Sequence, residues 1–497
     1  MISFIFFSVI AISVLIAFAA RSGLKKMSIG EYLVGGRSFP AWLLYFLAVG
    51  EIYSIGTMIG LPSGVYSSGA GHAIWFLGYI LMAYPIGYFL APLIWRAGLR
   101  YDAMTIPDVF GRHFGSRRLE LITAWGLLLA LVPWGQYQFI GLQVVLTGLG
   151  LPISGVQAVL LAGGIAFLYL AVSGVRSPAF VSILKDGFML FGIVAVGLVA
   201  VKQLGGVGAT FSHEGVTRDF VTLSGNPLVF AITTIIFQSL TFYLGFSAAF
   251  IFTARSERAI KSSAVWMPLY MLMYPFLIAG SFYAVGAYPN LDEPDTVFMQ
   301  VTTDLLPDWA VGIVAAAAGL SGLLVLAVTA LTIGGIVSRN LIPNVRPEAQ
   351  RHWTTLAIGV FLVAAAVMTL TTSTLMLTVL NLMYYLLGQL IPGWIAIMFF
   401  KRVQSWAVAT GFLTGLASSL VLYLAAPDLG GVNAGLVAVL INVALVFGLS
   451  ALKPGRVRTP LSQTGRLTVG GQAQDGVDVE SSEARPAASA HRAGEDR

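Results

Sequence analysis

Glu51 is the side chain in this sequence best placed to do chemistry. It sits in the run AWLLYFLAVGEIYSIGTMIGLPSGVYSSG, about ten residues into an apolar stretch. At ~1.5 Å per helical residue, that is ~15 Å deep, near the middle of a ~30 Å hydrocarbon layer. No other carboxylate is expected at such depth, and no Lys or Arg at a matching one. Lys185 and Asp186 fall near the inner end of their own stretch and are expected to partner each other. A lone carboxylate in a dry setting exchanges a proton or meets a cation. The structural alternative is a permanently protonated Glu that donates one fixed hydrogen bond.

The same run holds Gly50, Gly56, Gly60, Pro62 and Gly64, with Ser54 and Thr57 among them. Glycine and proline weaken a helix. Loose backbone groups at membrane depth survive only beside a cavity or a protein partner. Interrupted helices of this kind mark binding sites in secondary transporters. Close helix packing is the other use of such glycines. Further deep polar residues are Gln136, Tyr137, Gln138 and Gln143; then Gln238, Thr241 and Tyr243; then Asn381, Tyr384, Tyr385 and Gln389. Each alone reads as packing glue between helices, but their concentration on a few helices favours a site.

Enzyme signatures are missing. There is no HExxH, no GxSxG with partners and no P-loop. Five histidines (His72, His113, His213, His352, His491) are scattered, and there is no cysteine, which excludes disulfides and thiolate chemistry. No metal ligand cluster or organic cofactor is expected. Without a nucleotide site, any transport is driven by a gradient or is passive.

The elements that must position these residues follow from composition. Of 497 residues, 57% are hydrophobic and only 10% charged, with a mean hydropathy of +0.85. A soluble domain carries ~25% charged residues, so a soluble enzyme or nucleic-acid binder is excluded. Apolar stretches at 2–20, 41–66, 72–95, 120–147, 155–174, 180–203, 227–252, 264–286, 309–337, 353–372, 375–400, 404–425 and 433–452 predict an all-α, multi-pass membrane protein with about thirteen spans. The first stretch lacks a basic region before it and is followed by Arg21, Lys25 and Lys26, so it reads as a retained span rather than a signal peptide. Basic residues alternate between loops, which places the N-terminus outside and the C-terminus in the cytoplasm of a plasma (inner) membrane. Thr105-Ile-Pro-Asp reads as a cap opening a short interfacial helix within Arg100–Arg118. Residues 453–497, poor in large apolar side chains, read as a disordered cytoplasmic tail.

Several motifs carry a resemblance. EYLVGGRSFPAW, GLPSGVYSSG, TIPDVFGRHFGS, AVSGVRSPAFVSILKDG, ARSERAIKSS and SRN together are similar to the sodium:solute symporter family over about residues 30–400. The resemblance is nearest to its monocarboxylate branch, which carries acids such as pyruvate, lactate and acetate. It rests there on Gly50-Glu51-Ile52-Tyr53-Ser54 and on Pro133, Gln138, Gly141 and Gln143. The family implies an inverted five-helix-repeat transporter fold with broken helices at the midplane. The repeats would be 41–203 and 227–400, with an extra helix and inner loop in 1–40 and two helices in 401–452.

The resemblance also implies a sodium site: carbonyls of Gly50 and Tyr53, a small residue matching Ser321, and two hydroxyls. Leu324 and Val325 stand where the hydroxyls belong. Hard cations require oxygen ligands, so the expectation is coupling to H+ through Glu51 in preference to Na+. Ser54, Thr57, Gln138, Gln238, Tyr243 and Asn381 are the candidate solute contacts. The expected partners are a small solute, the coupling cation and membrane lipid; nucleic acid is not expected, and a monomer suffices. A Na+-coupled carrier of an amine-bearing or other small solute is a second reading, favoured by the missing basic partner. A transporter-like sensor or passive channel is a third.

Overall fold

A computed structural model describes residues 1–20, 28–150, 153–213, 215–372, 376–425, 427 and 429–465. The flank Arg21, Lys25 and Lys26, and residues 466–497 of the expected tail with His491, lie outside the described residues. The described chain is helical, and its isolated backbone bridge joins Phe39 to Ala254. The helices used below are α1 (Ile2–Ala19), α2 (Ala41–Ile52), α3 (Leu61–Ser68), α4 (Ala70–Arg100), α5 (Ile106–Phe114), α6 (Arg117–Thr147), α7 (Gly155–Ser173), α8 (Arg176–Gln203), α9 (Gly225–Thr241), α10 (Tyr274–Ala287), α11 (Asp308–Ile336), α12 (Pro347–Thr371), α13 (Met376–Leu387), α14 (Ile391–Phe399), α15 (Ser405–Ala425) and α16 (Ala434–Leu452). Among the described residues, eleven helical stretches are each long and apolar enough to cross a bilayer, and the bent pair α2–α3 makes a twelfth. The thirteenth expected span falls on α7, whose apolar stretch Gly155–Leu170 is shorter.

The centre is α11. Its run Ala315–Ala316–Ala317–Ala318–Gly319 is fully enclosed. Small side chains let neighbouring helices approach closely where lipid supplies no hydrophobic drive for association. α11 packs against α1, α6, α8 and α12, which makes it the post around which the other helices stand.

Two helices break beside it. α2 stops at Tyr53 (φ −92°, ψ 67°), a π turn covers Gly56–Gly60, and α3 resumes with Pro62 in its first turn. The two halves meet at a bend of 43°. Ser54 helps end the ladder, because its Oγ accepts a hydrogen bond from Gly56 N at 3.2 Å. Glycine is also needed for packing: a Cβ at Gly50 would meet Ser182 Oγ, and one at Gly56 would overlap the Tyr137 hydroxyl. Both uses of these glycines hold together. The second break is a π turn at Phe242–Phe246, which follows α9.

Call the end where α2, α6 and α8 begin the basic end. There Thr105 caps α5: its Oγ1 accepts from Asp108 N at 3.2 Å, with Pro107 in the first turn. The helix forms where the cap is read, but most of its residues are buried, so it plugs this end rather than lying on the surface. The expectation of disorder from residue 453 is corrected for the described part. Gly455 N donates to Arg402 O at 2.8 Å, Arg458 Nη2 donates to Phe114 O at 3.0 Å, and Leu461 is buried. Arginine forks and one apolar anchor supply the hold that the composition does not advertise.

Candidate functional site

The break in α2 frees the carbonyl of Tyr53 from helical pairing. It receives a hydrogen bond from Lys185 Nζ at 3.1 Å, and that ammonium also pairs with Asp186 Oδ1 at 2.7 Å. Lys185 is 0% exposed. This corrects two expectations: a basic residue does sit level with Glu51, and Asp186 is a second carboxylate at that depth. The error lay in the helix start. α8 begins at Arg176 rather than near 180, so Lys185 stands nine residues up its helix, matching Glu51 ten residues up α2. The expected pairing of Lys185 with Asp186 is present.

Glu51 is buried and faces the Lys185 charge without ion-pair contact. It lines a cavity of about 50 Å³, bounded also by Val175, Gly245, Thr329, Thr105 and Gly335. That space suits a few water molecules. The cavity runs from the break toward α5, at the basic end. Thr329 was not singled out by sequence. Its Oγ1 is buried without a hydrogen-bond partner among the described residues. The signal for it was a hydroxyl inside the apolar run LLVLAVTAL of α11.

The family's sodium ligands fit poorly here. Ser321 Oγ is engaged by Ala317 O of its own helix at 2.8 Å. Leu324 and Val325 are buried hydrocarbon. Of the two α2 carbonyls, Tyr53's already holds an ammonium. An oxygen shell for a hard cation is therefore not assembled from these residues.

The candidate solute contacts separate into groups. Ser54 is engaged by Gly56 N, as above. Gln238 Nε2 donates to Asn381 Oδ1 at 3.2 Å, tying α9 to α13, and Gln238 Oε1 is left without a partner. Tyr243 is buried in the second break, its ring against Gly87 of α4. Thr57 Oγ1 and both amide atoms of Gln138 are buried with no partner at hydrogen-bond geometry among the described residues. The hydroxyl of Tyr274 lies beside Thr57, close enough for the two to pair, and neither has another partner among the described residues. Buried polar atoms are rarely left this way, and the Thr57 and Tyr274 hydroxyls at the helix break offer polar contacts to a guest.

Aromatic rings cluster beside the break; Tyr53 and Tyr384 were singled out by sequence, whereas Phe76, Tyr79, Tyr84 and Tyr274 were not. Tyr53 and Tyr274 have ring centroids 5.9 Å apart, Phe76 and Tyr274 6.3 Å, and Tyr79 and Tyr384 5.5 Å. The Tyr53 and Tyr84 hydroxyls are hydrogen-bonded. These rings come from α2, α4, α10 and α13, so no local pattern groups them. At the end opposite the basic one, Asp295 accepts from Ser63 Oγ at 2.6 Å and from Met376 N at 3.1 Å. It bridges α3 to the start of α13 over the aromatic cluster.

Known proteins resemble this chain in sequence and in fold. A Bacillus subtilis (strain 168) protein named uncharacterized symporter YhjB is 24% identical over 475 residues, covering 90% of this chain and 96% of its own. A monocarboxylate transport permease protein of Rhizobium johnstonii is 27% identical over 341 residues, covering 67% of this chain and 69% of its own. Among solved structures, a substrate-bound, outward-open Na+-coupled sialic acid symporter superposes with a TM-score of 0.75 at 15% identity, over 92% of this chain and 99% of that one. That likeness establishes the inverted-repeat transporter fold. The description "Sodium:solute symporter family" matches residues 32–417, more than half of the sequence. The chain belongs to the sodium:solute symporter family, and is a multi-pass secondary transporter rather than an enzyme.

Proposed function

We propose that this transporter imports a small monocarboxylate, such as pyruvate, lactate or acetate, across the plasma membrane by alternating access, with H+ as the coupling ion. The basic end faces the cytoplasm in this reading, with the N-terminus outside and the C-terminus inside. The observation that supports the solute assignment is a set of buried polar groups with spare hydrogen-bonding capacity: the adjacent Thr57 and Tyr274 hydroxyls, which have no partner beyond each other among the described residues, and the Gln138 amide. They offer hydrogen-bond donors to a carboxylate beside a cluster of aromatic rings that suits a short carbon chain. The monocarboxylate relative adds support.

Charge balance supports H+. With Glu51 protonated, the Lys185–Asp186 pair leaves the cluster neutral; with Glu51 ionised, the cluster carries one uncompensated negative charge. Moving a net charge through a low-dielectric layer is costly. A carboxylate solute brings one negative charge of its own, so the loaded site with Glu51 protonated carries the same charge as the empty site with Glu51 ionised, and both reorient. Solute bound beside ionised Glu51 would add a second uncompensated charge, and that form resists. The cavity beside Glu51, lined also by Thr105 of the basic end, supports a route for its proton. An amine-bearing solute is the competing reading, since Lys185 is balanced by Asp186 and leaves Glu51 without an ion pair.

Uptake into vesicles with imposed gradients tests this. A pH gradient alone is expected to drive accumulation of labelled pyruvate or lactate. Accumulation driven by a sodium gradient at fixed pH overturns H+ coupling, and preference for a labelled amine overturns the solute class.

A further inference from the structure

We propose that the Lys185 ammonium is the resident cation of the α2 break, built into the chain at the place where the family's sodium site would be, and that it keeps Na+ out. This rests on the transporter reading above but not on the identity of the solute.

Three observations converge on it. The first is position. Lys185 Nζ hydrogen-bonds the Tyr53 carbonyl at 3.1 Å, and that carbonyl belongs to the pair the resemblance assigns to sodium. A broken helix exposes carbonyl dipoles whose negative ends require a positive partner inside the membrane. An ammonium supplies both the charge and the hydrogen-bond donors. The second is the opposite wall. Leu324 and Val325 offer no oxygen, and Ser321 turns its hydroxyl to Ala317 O at 2.8 Å. A mobile cation would find an incomplete shell, while an ammonium held by its own side chain needs fewer ligands. The third is compensation. Asp186 lies 2.7 Å from the same nitrogen, so the fixed charge is neutralised locally and is tolerated with no exposure to water. A second cation brought beside the ammonium would meet like-charge repulsion in a medium that screens poorly.

The loss of the hydroxyls and the presence of the lysine are thus two sides of one change. A sodium site with both features would be repelled as well as unligated. The break keeps a cation permanently, and the family's usual coupling ion has no place to bind there.

The test is a thermal-melt titration of the purified full-length protein, NaCl against choline chloride at constant ionic strength. No sodium-specific shift is expected in the natural protein; a saturable shift specific to Na+ overturns the proposal. This readout needs no solute, so failure of the monocarboxylate assignment leaves it intact. A second measurement uses Lys185→Arg, which keeps a fixed cation beside Asp186, and the charge-neutral pair Lys185→Met with Asp186→Asn, which removes it. Solute exchange is expected to persist in the first and to fall at least tenfold in the second. Equal exchange in both shows Lys185 to be packing only and overturns the proposal. Should the double variant fail to melt cooperatively, the sodium titration of the natural protein decides.

Discussion

Arg339 grips Asp108 at 2.9 Å, joining the end of the central helix to the plug helix at the basic end. The neighbouring Asn340 donates to the same carboxylate at 2.8 Å and to Glu120 at 2.8 Å. Asp108 is also the capping partner of Thr105. Two motifs distant in sequence, TIPD and SRN, therefore meet on one carboxylate. Asp108→Ala would leave a largely buried guanidinium and an amide without their partner and would undo the cap. Breaking such a pair from one side costs about 3 kcal/mol or more. The expected result is a clear drop in melting temperature, larger than that of Glu120→Gln, which leaves the Arg339 pair in place. Equal melts for the two variants would contradict the central role of Asp108.

The local features of this region were legible because they are local. Thr105, Pro107 and Asp108 spell a cap over a few residues, and the glycines with Pro62 announce the α2 break. The partners that matter most were not. Lys185 reaches Tyr53 across 132 positions, and Ser63 reaches Asp295 across 232. Hydropathy gives the existence of a span but not its first residue. A start set four residues late placed Lys185 at the membrane edge instead of beside Glu51. Tyr79 and Tyr274 carry ordinary aromatic signals on separate helices, and only packing brings their rings into one cluster with those of Tyr53, Phe76 and Tyr384.

Asp295 closes the end opposite the plug by holding Ser63 and Met376 N together. Hydrogen bonds to a charged acceptor contribute ~1.5–3 kcal/mol each, so Asp295→Ala should loosen this end without unfolding the bundle. The chain contains no cysteine, which makes a single Thr57→Cys reporter practical. A membrane-impermeant maleimide added from that side should label the reporter several-fold faster in the Asp295→Ala background. Unchanged labelling would show that the bridge does not guard the helix break.

His113 lies in the plug helix, where burial pushes its imidazole down to about 3, with the Arg458 and Arg100 charges adding to the effect. Its Nδ1 is hydrogen-bonded with the Tyr101 hydroxyl at 2.8 Å. The folded state keeps it neutral while the unfolded chain protonates it near pH ~6.5. Stability associated with the neutral ring is complete above that value and is lost as pH falls from ~6.5 toward 3. The loss is ~1.4 kcal/mol per pH unit, or about 2 kcal/mol by pH 5. His113→Gln retains a polar group that cannot take this proton. Its melting temperature should fall less than the natural protein's between pH 7 and pH 5. A parallel fall in both would assign the acid sensitivity elsewhere.

Glu51→Gln tests the coupling step directly. The amide cannot ionise, so the cluster stays in the neutral balance set by Lys185 and Asp186 throughout the cycle. A carrier locked in that state can reorient whether or not solute is bound. It should therefore exchange labelled for unlabelled solute at a near-natural rate, yet lose net accumulation against a gradient by at least tenfold. The substitution is nearly isosteric, and Glu51 forms no ion pair to break, so the melting temperature should stay within a few degrees of the natural protein's. Preserved accumulation would mean that Glu51 holds its proton permanently as a structural donor. Loss of both exchange and accumulation, with the fold intact, would move Glu51 from coupling to solute binding. Only exchange without accumulation separates proton coupling from both alternatives, and the two assays run on the same vesicles.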